Sequence, residues 1–369
     1  MENKRIYFDY NASSLIRSEA FNLFERIKSF YGNPSSIHED GRLMRDLIED
    51  SRMNIANSIK TNEKNVIFTS GGTEAIDIAL NQNPGRIIIN STEHIAVFEA
   101  AKKSNALIEI LEVDDNGIVN IDMLKSLLLK GPALVCVMYA NNETGVIQPI
   151  EKISEIVNEN NSFLFCDAVQ AYGKIKINFN ALNIHFMALS AHKVGGFPGS
   201  GALIVNDNIK KITPKISGGG QEFGLRGGTE NLLGIVAFGE CAKLIDDIYS
   251  ENNKLIEYIN IFEKSVNGLG AFIFGVNSSR LPNTSLFAFP NVRAETLLMK
   301  LDLAGFSVSS GSACSSGKVR ESHVLKAMSV DDKIINNAIR ISLGWASKKS
   351  HIVKLLEFFQ NDFNKVVLE

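Results

Sequence analysis

The sequence predicts an α/β layered fold on a mostly parallel sheet, with a second, smaller domain. Short apolar runs alternate with amphipathic stretches between about residues 66 and 206, the stretches repeat at helical period, and the texture changes after about residue 250. The runs are Val66-Ile67-Phe68-Thr69, Arg86-Ile87-Ile88-Ile89, Ala133-Leu134-Val135-Cys136-Val137, Phe163-Leu164-Phe165-Cys166 and Ala202-Leu203-Ile204-Val205. They are nearly continuous rather than alternating, as strands buried on both faces are. Ile121, Leu124, Leu127 and Leu128, then Ile150, Ile153, Ile156 and Val157, recur as the stripe of a helix packed on a sheet. Strand and helix in repetition define the α/β class. Beyond residue 250 come a long amphipathic segment through Leu255, Ile259 and Phe262, shorter strand-like pieces, and a C-terminal helix through Leu355, Leu356 and Phe359. At 369 residues, about two closely packed domains are expected.

Composition narrows the function classes. Apolar residues make up 45% and charged residues 21%, which supplies a sizeable core and excludes disorder as the main state. Lys+Arg number 38 against Asp+Glu 41, so no broad basic surface points to direct nucleic-acid or membrane binding. The start, Met1-Glu2-Asn3-Lys4-Arg5-Ile6-Tyr7, lacks the apolar core of a signal peptide, and no later run reaches membrane-helix length. A cytoplasmic protein is expected. Cys136, Cys166, Cys241 and Cys314 form no C-x-x-C pair, which argues against a disulfide framework and a sequence-local zinc site.

Chemistry is expected at four places. The turn Ser70-Gly71-Gly72-Thr73-Glu74-Ala75 follows a strand and opens a helix, so glycine N–H groups, a hydroxyl and a helix dipole meet an anion such as phosphate. It reads about equally well as a plain turn with Thr73 capping the helix, and no Gly-Lys-Ser/Thr of a Walker motif follows. Asp167 stands at the carboxyl end of a strand, where open α/β sheets bind ligands, with Gln170 three residues on; a helix N-cap is the commoner use of such an aspartate. Ser190-Ala191-His192-Lys193 carries a second strand into a Gly-rich turn, placing a lysine at the same edge, although most lysines are solvated surface charges. Cys136, Cys166 and Cys241 lie in apolar stretches and read as core residues. Cys314 lies in Val308-Ser309-Ser310-Gly311-Ser312-Ala313-Cys314-Ser315-Ser316-Gly317, where an exposed thiolate would be a nucleophile; the alternative is an incidental loop cysteine.

These segments, together with Tyr7-Phe8-Asp9-Tyr10-Asn11-Ala12, Gly32-Asn33-Pro34-Ser35-Ser36-Ile37-His38, Glu93-His94, Asn141-Asn142-Glu143-Thr144-Gly145, Gly218-Gly219-Gly220-Gln221-Glu222 and Arg226-Gly227-Gly228-Thr229-Glu230-Asn231, resemble in order the cysteine desulfurases. Those are pyridoxal-phosphate enzymes of the class V, fold-type I aminotransferase group. The Ser/Gly-rich cysteine loop resembles the subgroup that supplies iron–sulfur assembly. The resemblance implies a large domain at 16–250 around a mostly parallel seven-stranded sheet, and a small α+β domain from 1–15 and 251–369 that carries the cysteine loop. It further implies that Lys193 forms the Schiff base with pyridoxal 5′-phosphate, that Asp167 pairs with the ring nitrogen, that Gln170 bonds the ring hydroxyl and that His94 stacks on the ring and shuttles protons. Gly72, Thr73, Ser190 and His192 would hold the phosphate, joined by Thr229 from a second subunit, which implies a homodimer. Asn142 would lie near the ring oxygen and the substrate carboxylate, and Arg340 would bind that carboxylate.

On this resemblance the expected function is conversion of L-cysteine to L-alanine, with a persulfide on Cys314 passed to an acceptor such as an iron–sulfur scaffold. A selenocysteine lyase or another class V aminotransferase is the alternative. Phe223 and Trp345 stand where the family usually has arginine, and residues 315–325 lack its usual Glu-Pro-Ser-type sequence.

Overall fold

Residues 5–29, 31–209, 211–311 and 321–361 are described in the computed structural model of the chain. Its main sheet is built from β2 (Val66–Thr69), β3 (Arg86–Asn90), β4 (Leu107–Leu111), β5 (Leu134–Cys136), β6 (Phe163–Asp167), β7 (Phe186–Ser190) and β8 (Gly201–Val205); the short β1 (Ile6–Tyr7) pairs elsewhere. The seven strands run in the order β2-β8-β7-β6-β5-β3-β4, and only the two pairings of β8 are antiparallel. Residues 191–200, between β7 and β8, are too few for the crossover that a parallel neighbour requires. Strand β4, absent from the apolar runs above, is the sheet edge. Its Glu109 is salt-bridged to Arg86 and Lys130.

The unbroken apolar runs have a direct cause. Ile88, Val135, Leu164, Cys166 and Met187 pack on one face, under the helices Glu39–Ser58, Ile121–Leu128, Ile150–Glu159 and Leu232–Lys243. Ile87, Ile89, Leu134, Cys136, Phe165 and Phe186 pack on the other, under Gly72–Leu80 and Ile95–Lys103. Both faces are dry, so both sets of alternating residues must be apolar.

The C-terminal part adds β9 (Phe272–Ile273), β10 (Thr284–Ala288), β11 (Phe306–Ser307), β12 (Ser309–Ser310) and β13 (Ala338–Ser342). Four of these form an antiparallel sheet, β12-β13-β10-β9. Helices Ile245–Gly268 and Lys349–Asn361 bury Phe262 and Phe359 against Phe287 from β10. The N-terminal segment joins this part: β1 runs parallel to β11, and the Asn11 N–H donates to Ser342 Oγ at 2.9 Å.

A buried ion pair ties the sheet to the segment after β8. Arg52 donates from both terminal nitrogens to Glu222 at 2.8 Å and also to the Val66 carbonyl at 2.7 Å, while Glu222 accepts the Phe68 N–H at 2.6 Å. Phe223 explains one departure from the family pattern, because the Arg52 guanidinium lies 4.9 Å from its ring centroid and 4.8 Å from that of Phe68. The ring at 223 thus covers a buried cation. Trp345 does similar service, with Arg17 5.6 Å from its ring centroid. Glu222→Ala should cost about 3–5 kcal/mol, because it strands a buried guanidinium. A chemical-denaturation midpoint equal to that of the unaltered protein would contradict this.

Candidate active site

The carboxyl ends of β3, β5, β6 and β7 open on a cavity of about 420 Å³, and β2, antiparallel to β8 as β7 is, ends on the same side. This is the edge at which open α/β sheets bind ligands. The chain returns from each strand into the cavity wall: Gly72 and Thr73 after β2, His94 after β3, Asn142 after β5, Asp167 and Gln170 at and after β6, Ser190, His192 and Lys193 at and after β7. Asn11 and Ala12 from the N-terminal segment and Arg340 from β13 complete it.

At one end lies the helix Gly72–Leu80. Its N-cap is Gly71, which makes no side-chain capping bond, so Thr73 is a first-turn residue rather than the cap and the leading N–H groups are left for a ligand. Gly72 is required by space, since a Cβ there would lie 2.8 Å from Val169 Cγ2. His192 stands near this turn in the cavity wall, with Nδ1 3.3 Å from Ser13 Oγ. Burial, and then the Lys193 cation, pulls its pKa down to about 4, so the imidazole is neutral at pH 7.

Asp167 is the last residue of β6, and its Oδ1 accepts the Val169 N–H at 2.9 Å. The carboxylate therefore closes a local turn and caps no helix. Burial raises its pKa, opposed by His94, by the Val169 N–H and by Lys193. Lys193 ends a single 3₁₀ turn, Ala191–Lys193, and its Nζ donates to the carbonyls of Asn11 at 2.6 Å and Ala12 at 2.9 Å. His94 is the N-cap of Ile95–Lys103; its Nδ1 accepts the Ala96 N–H at 3.2 Å, which leaves the proton of a neutral ring on Nε2.

Arg340 is 1% exposed in the middle of β13, not a surface residue at a strand end. It donates to the Asn142 carbonyl at 2.8 Å and forms an ion pair with Asp9 at 2.7 Å, while its Nε is buried without a hydrogen bond. Two anchors hold the guanidinium plane at the cavity wall.

Of the residues expected from sequence, Gly72, Thr73, His94, Asn142, Asp167, Gln170, Ser190, His192, Lys193 and Arg340 meet in this cavity. Thr229 does not. It is exposed and lines a separate cleft of about 100 Å³ with Ser70, Arg226 and Asn231. Cys314 lies outside the described residues.

Two residues with no role assigned from sequence also belong here. Asn11, whose carbonyl receives the Lys193 amine, reaches the site only through tertiary folding. Glu93 is fully buried; one oxygen accepts the Met138 N–H and the other has no hydrogen-bond partner. Burial, and then Asp167, pushes its carboxyl well above the ordinary carboxylate range.

The family model for aminotransferase class-V matches residues 6–355. The chain belongs to the aminotransferase class-V family. Among its class-V relatives is a cysteine desulfurase IscS of Dictyoglomus turgidum, 38% identical and covering 98% of this chain and 95% of its own. Another is a putative cysteine desulfurase IscS 1 of Bacillus subtilis, 39% identical over 92% of this chain and 94% of its own. The crystal structure of a NifS-like protein from Rickettsia africae superposes with a TM-score of 0.91 at 34% identity, covering 98% of this chain and 99% of that one. The mostly parallel seven-stranded sheet is thus that of fold-type I.

Proposed function

We propose that the chain is a pyridoxal-phosphate-dependent cysteine desulfurase that converts L-cysteine to L-alanine and places the sulfur on Cys314. The observation that carries this reading is the meeting of Lys193, Asp167 and Arg340 around one cavity with an uncapped helix N-terminus at its end. The residues fit the cofactor: a glycine cradle that a Cβ would fill, a buried carboxyl whose pKa burial raises, and an amine held on two carbonyls.

Gly72, Thr73, Ser190 and His192 would hold the phosphate, Asp167 the ring nitrogen, Gln170 the ring hydroxyl, His94 the ring face, and Lys193 the aldehyde carbon covalently. When bound, pyridoxal phosphate supplies an electron sink for negative charge at the substrate Cα. Arg340 binds the substrate carboxylate with Asn142 beside it, and so aims the Cα–H bond at Lys193. The Nζ of Lys193 removes the Cα proton, and His94 carries protons within the site. The Cys314 thiolate then attacks the substrate sulfur: the S–S bond of a persulfide forms, the C–S bond breaks, and its electron pair stays on carbon, which is protonated to the methyl of alanine.

An acceptor protein, an iron–sulfur scaffold by the family resemblance, takes the sulfur. Thr229, exposed and outside the cavity of its own chain, supports a homodimer in which it reaches the partner's phosphate site. The working compartment is the cytoplasm, supported by the free cysteines at 136, 166 and 241. Among the described residues no helix is long and apolar enough to cross a membrane.

The purified protein, loaded with pyridoxal phosphate and given L-cysteine and a thiol reductant, should release alanine and sulfide in equal amounts with no keto acid present. Alanine that appears only on adding a keto acid would place the chain with the plain aminotransferases. Arg340→Lys should raise KM for L-cysteine about 100-fold with a smaller change in kcat, because a lysine cannot pair a carboxylate on two prongs. An unchanged KM would remove Arg340 from substrate binding.

A further inference from the structure

Behind the cavity lies a second amine to which the reaction assigns nothing. Lys174 donates from Nζ to Gln170 Oε1 at 2.5 Å and to Asn11 Oδ1 at 2.8 Å. The other ends of both amides are pinned independently. Gln170 Nε2 donates to the Asn11 carbonyl at 2.8 Å, and Asn11 Nδ2 donates to the Asn142 carbonyl at 3.1 Å and to Thr284 Oγ1 at 2.9 Å. A backbone carbonyl only accepts, so each amide has its nitrogen on one side and its oxygen on the side of Lys174.

We propose that Lys174 is a positioning residue that locks the amide of Gln170 with its nitrogen toward the cavity, so that the wall offers a donor and selects a ring bearing an anionic oxygen. The inference rests on the cofactor reading above. Gln170 lines the cavity and is 5% exposed. One of its two Nε2 hydrogens goes to the Asn11 carbonyl, which leaves the other for a ligand acceptor. Without Lys174, Oε1 would be buried unpaired and the single bond from Nε2 to the Asn11 carbonyl would be left to hold the amide, so its nitrogen would be a less firmly fixed donor toward the ring oxygen. Burial, and then the cations Lys193 and Arg340, hold the Lys174 pKa well below the ordinary lysine range. Its Nζ supplies one N–H to each of the two amide oxygens.

The test uses cofactor-free protein and two probes that lack the aldehyde and so make no bond to Lys193: 4′-deoxypyridoxine 5′-phosphate, and the same compound without its ring hydroxyl. Calorimetry should show the unaltered protein binding the hydroxyl-bearing ring about tenfold more tightly, the scale of one hydrogen bond to a charged acceptor. In Lys174→Met that preference should fall to about threefold or less. In a Gln170→Ala background the Lys174→Met change should leave the preference unaltered, because Lys174 acts through Gln170. Equal affinity for the two rings in the unaltered protein would overturn the proposal without any variant. So would a Lys174→Met loss that is the same for both rings, which marks a merely structural role. If neither ring binds, the cofactor reading falls, and this inference with it.

Discussion

Replacing Lys193 with alanine is expected to abolish turnover, by at least about 10⁴-fold, since a positioned general base alone contributes about 10²–10⁴ and in the proposed function this lysine is also the covalent anchor. In the unaltered protein, borohydride treatment after cofactor loading should fix the cofactor's mass on the peptide carrying Lys193. Lys193→Ala should carry none. The neighbouring Lys174 cannot substitute, as its amine is turned to two amide oxygens behind the wall. Cofactor mass found on Lys174, or retained turnover, would sink the assignment. The same variant tests the homodimer: mixed with Thr229→Ala subunits, it should regain activity in heterodimers, where one site keeps both residues. Verified subunit exchange without recovery would count against Thr229 acting across an interface.

Cys314→Ser should fold, take up the cofactor with an unchanged absorbance spectrum and bind L-cysteine, yet lose alanine production on the order of 10³-fold or more, as enzymes do when a covalent nucleophile is removed. A serine hydroxyl at neutral pH attacks sulfur far more poorly than a thiolate does. After brief exposure to cysteine, mass spectrometry should find one additional sulfur on the wild-type peptide containing Cys314. Cys136, Cys166 and Cys241 are buried, and burial first of all raises each of their thiols above the ordinary range, so their peptides should be unchanged. Full alanine production by the serine variant, or the sulfur on another cysteine, would refute the mechanism while leaving fold and cofactor intact.

What could be read from sequence divides along a physical line. Gly72, Asp167, Ser190 and Lys193 stand at strand ends, where a run of apolar residues stops and a polar one must face the ligand edge, so neighbours in the chain reveal them. Strand β4 escaped the same rule because Leu107-Ile108-Glu109-Ile110-Leu111 is an edge strand broken by a carboxylate whose partners, Arg86 and Lys130, are distant in sequence. The antiparallel direction of β8 was latent in the short link from Ser190 to Gly201. Asn11 and Lys174 look locally like a turn asparagine and a solvated lysine. Only the docking of residues 5–14 against both parts of the molecule gives them their roles.

The bond between the Asn11 N–H and Ser342 Oγ has a consequence for synthesis. At about 5–20 residues per second, a ribosome needs on the order of 15–65 s to travel from one partner to the other. Until then the carbonyls that seat the Lys193 amine lack their far support, and Arg340 has not been made. A growing chain therefore cannot complete this cavity wall until Arg340 and Ser342 have both been made.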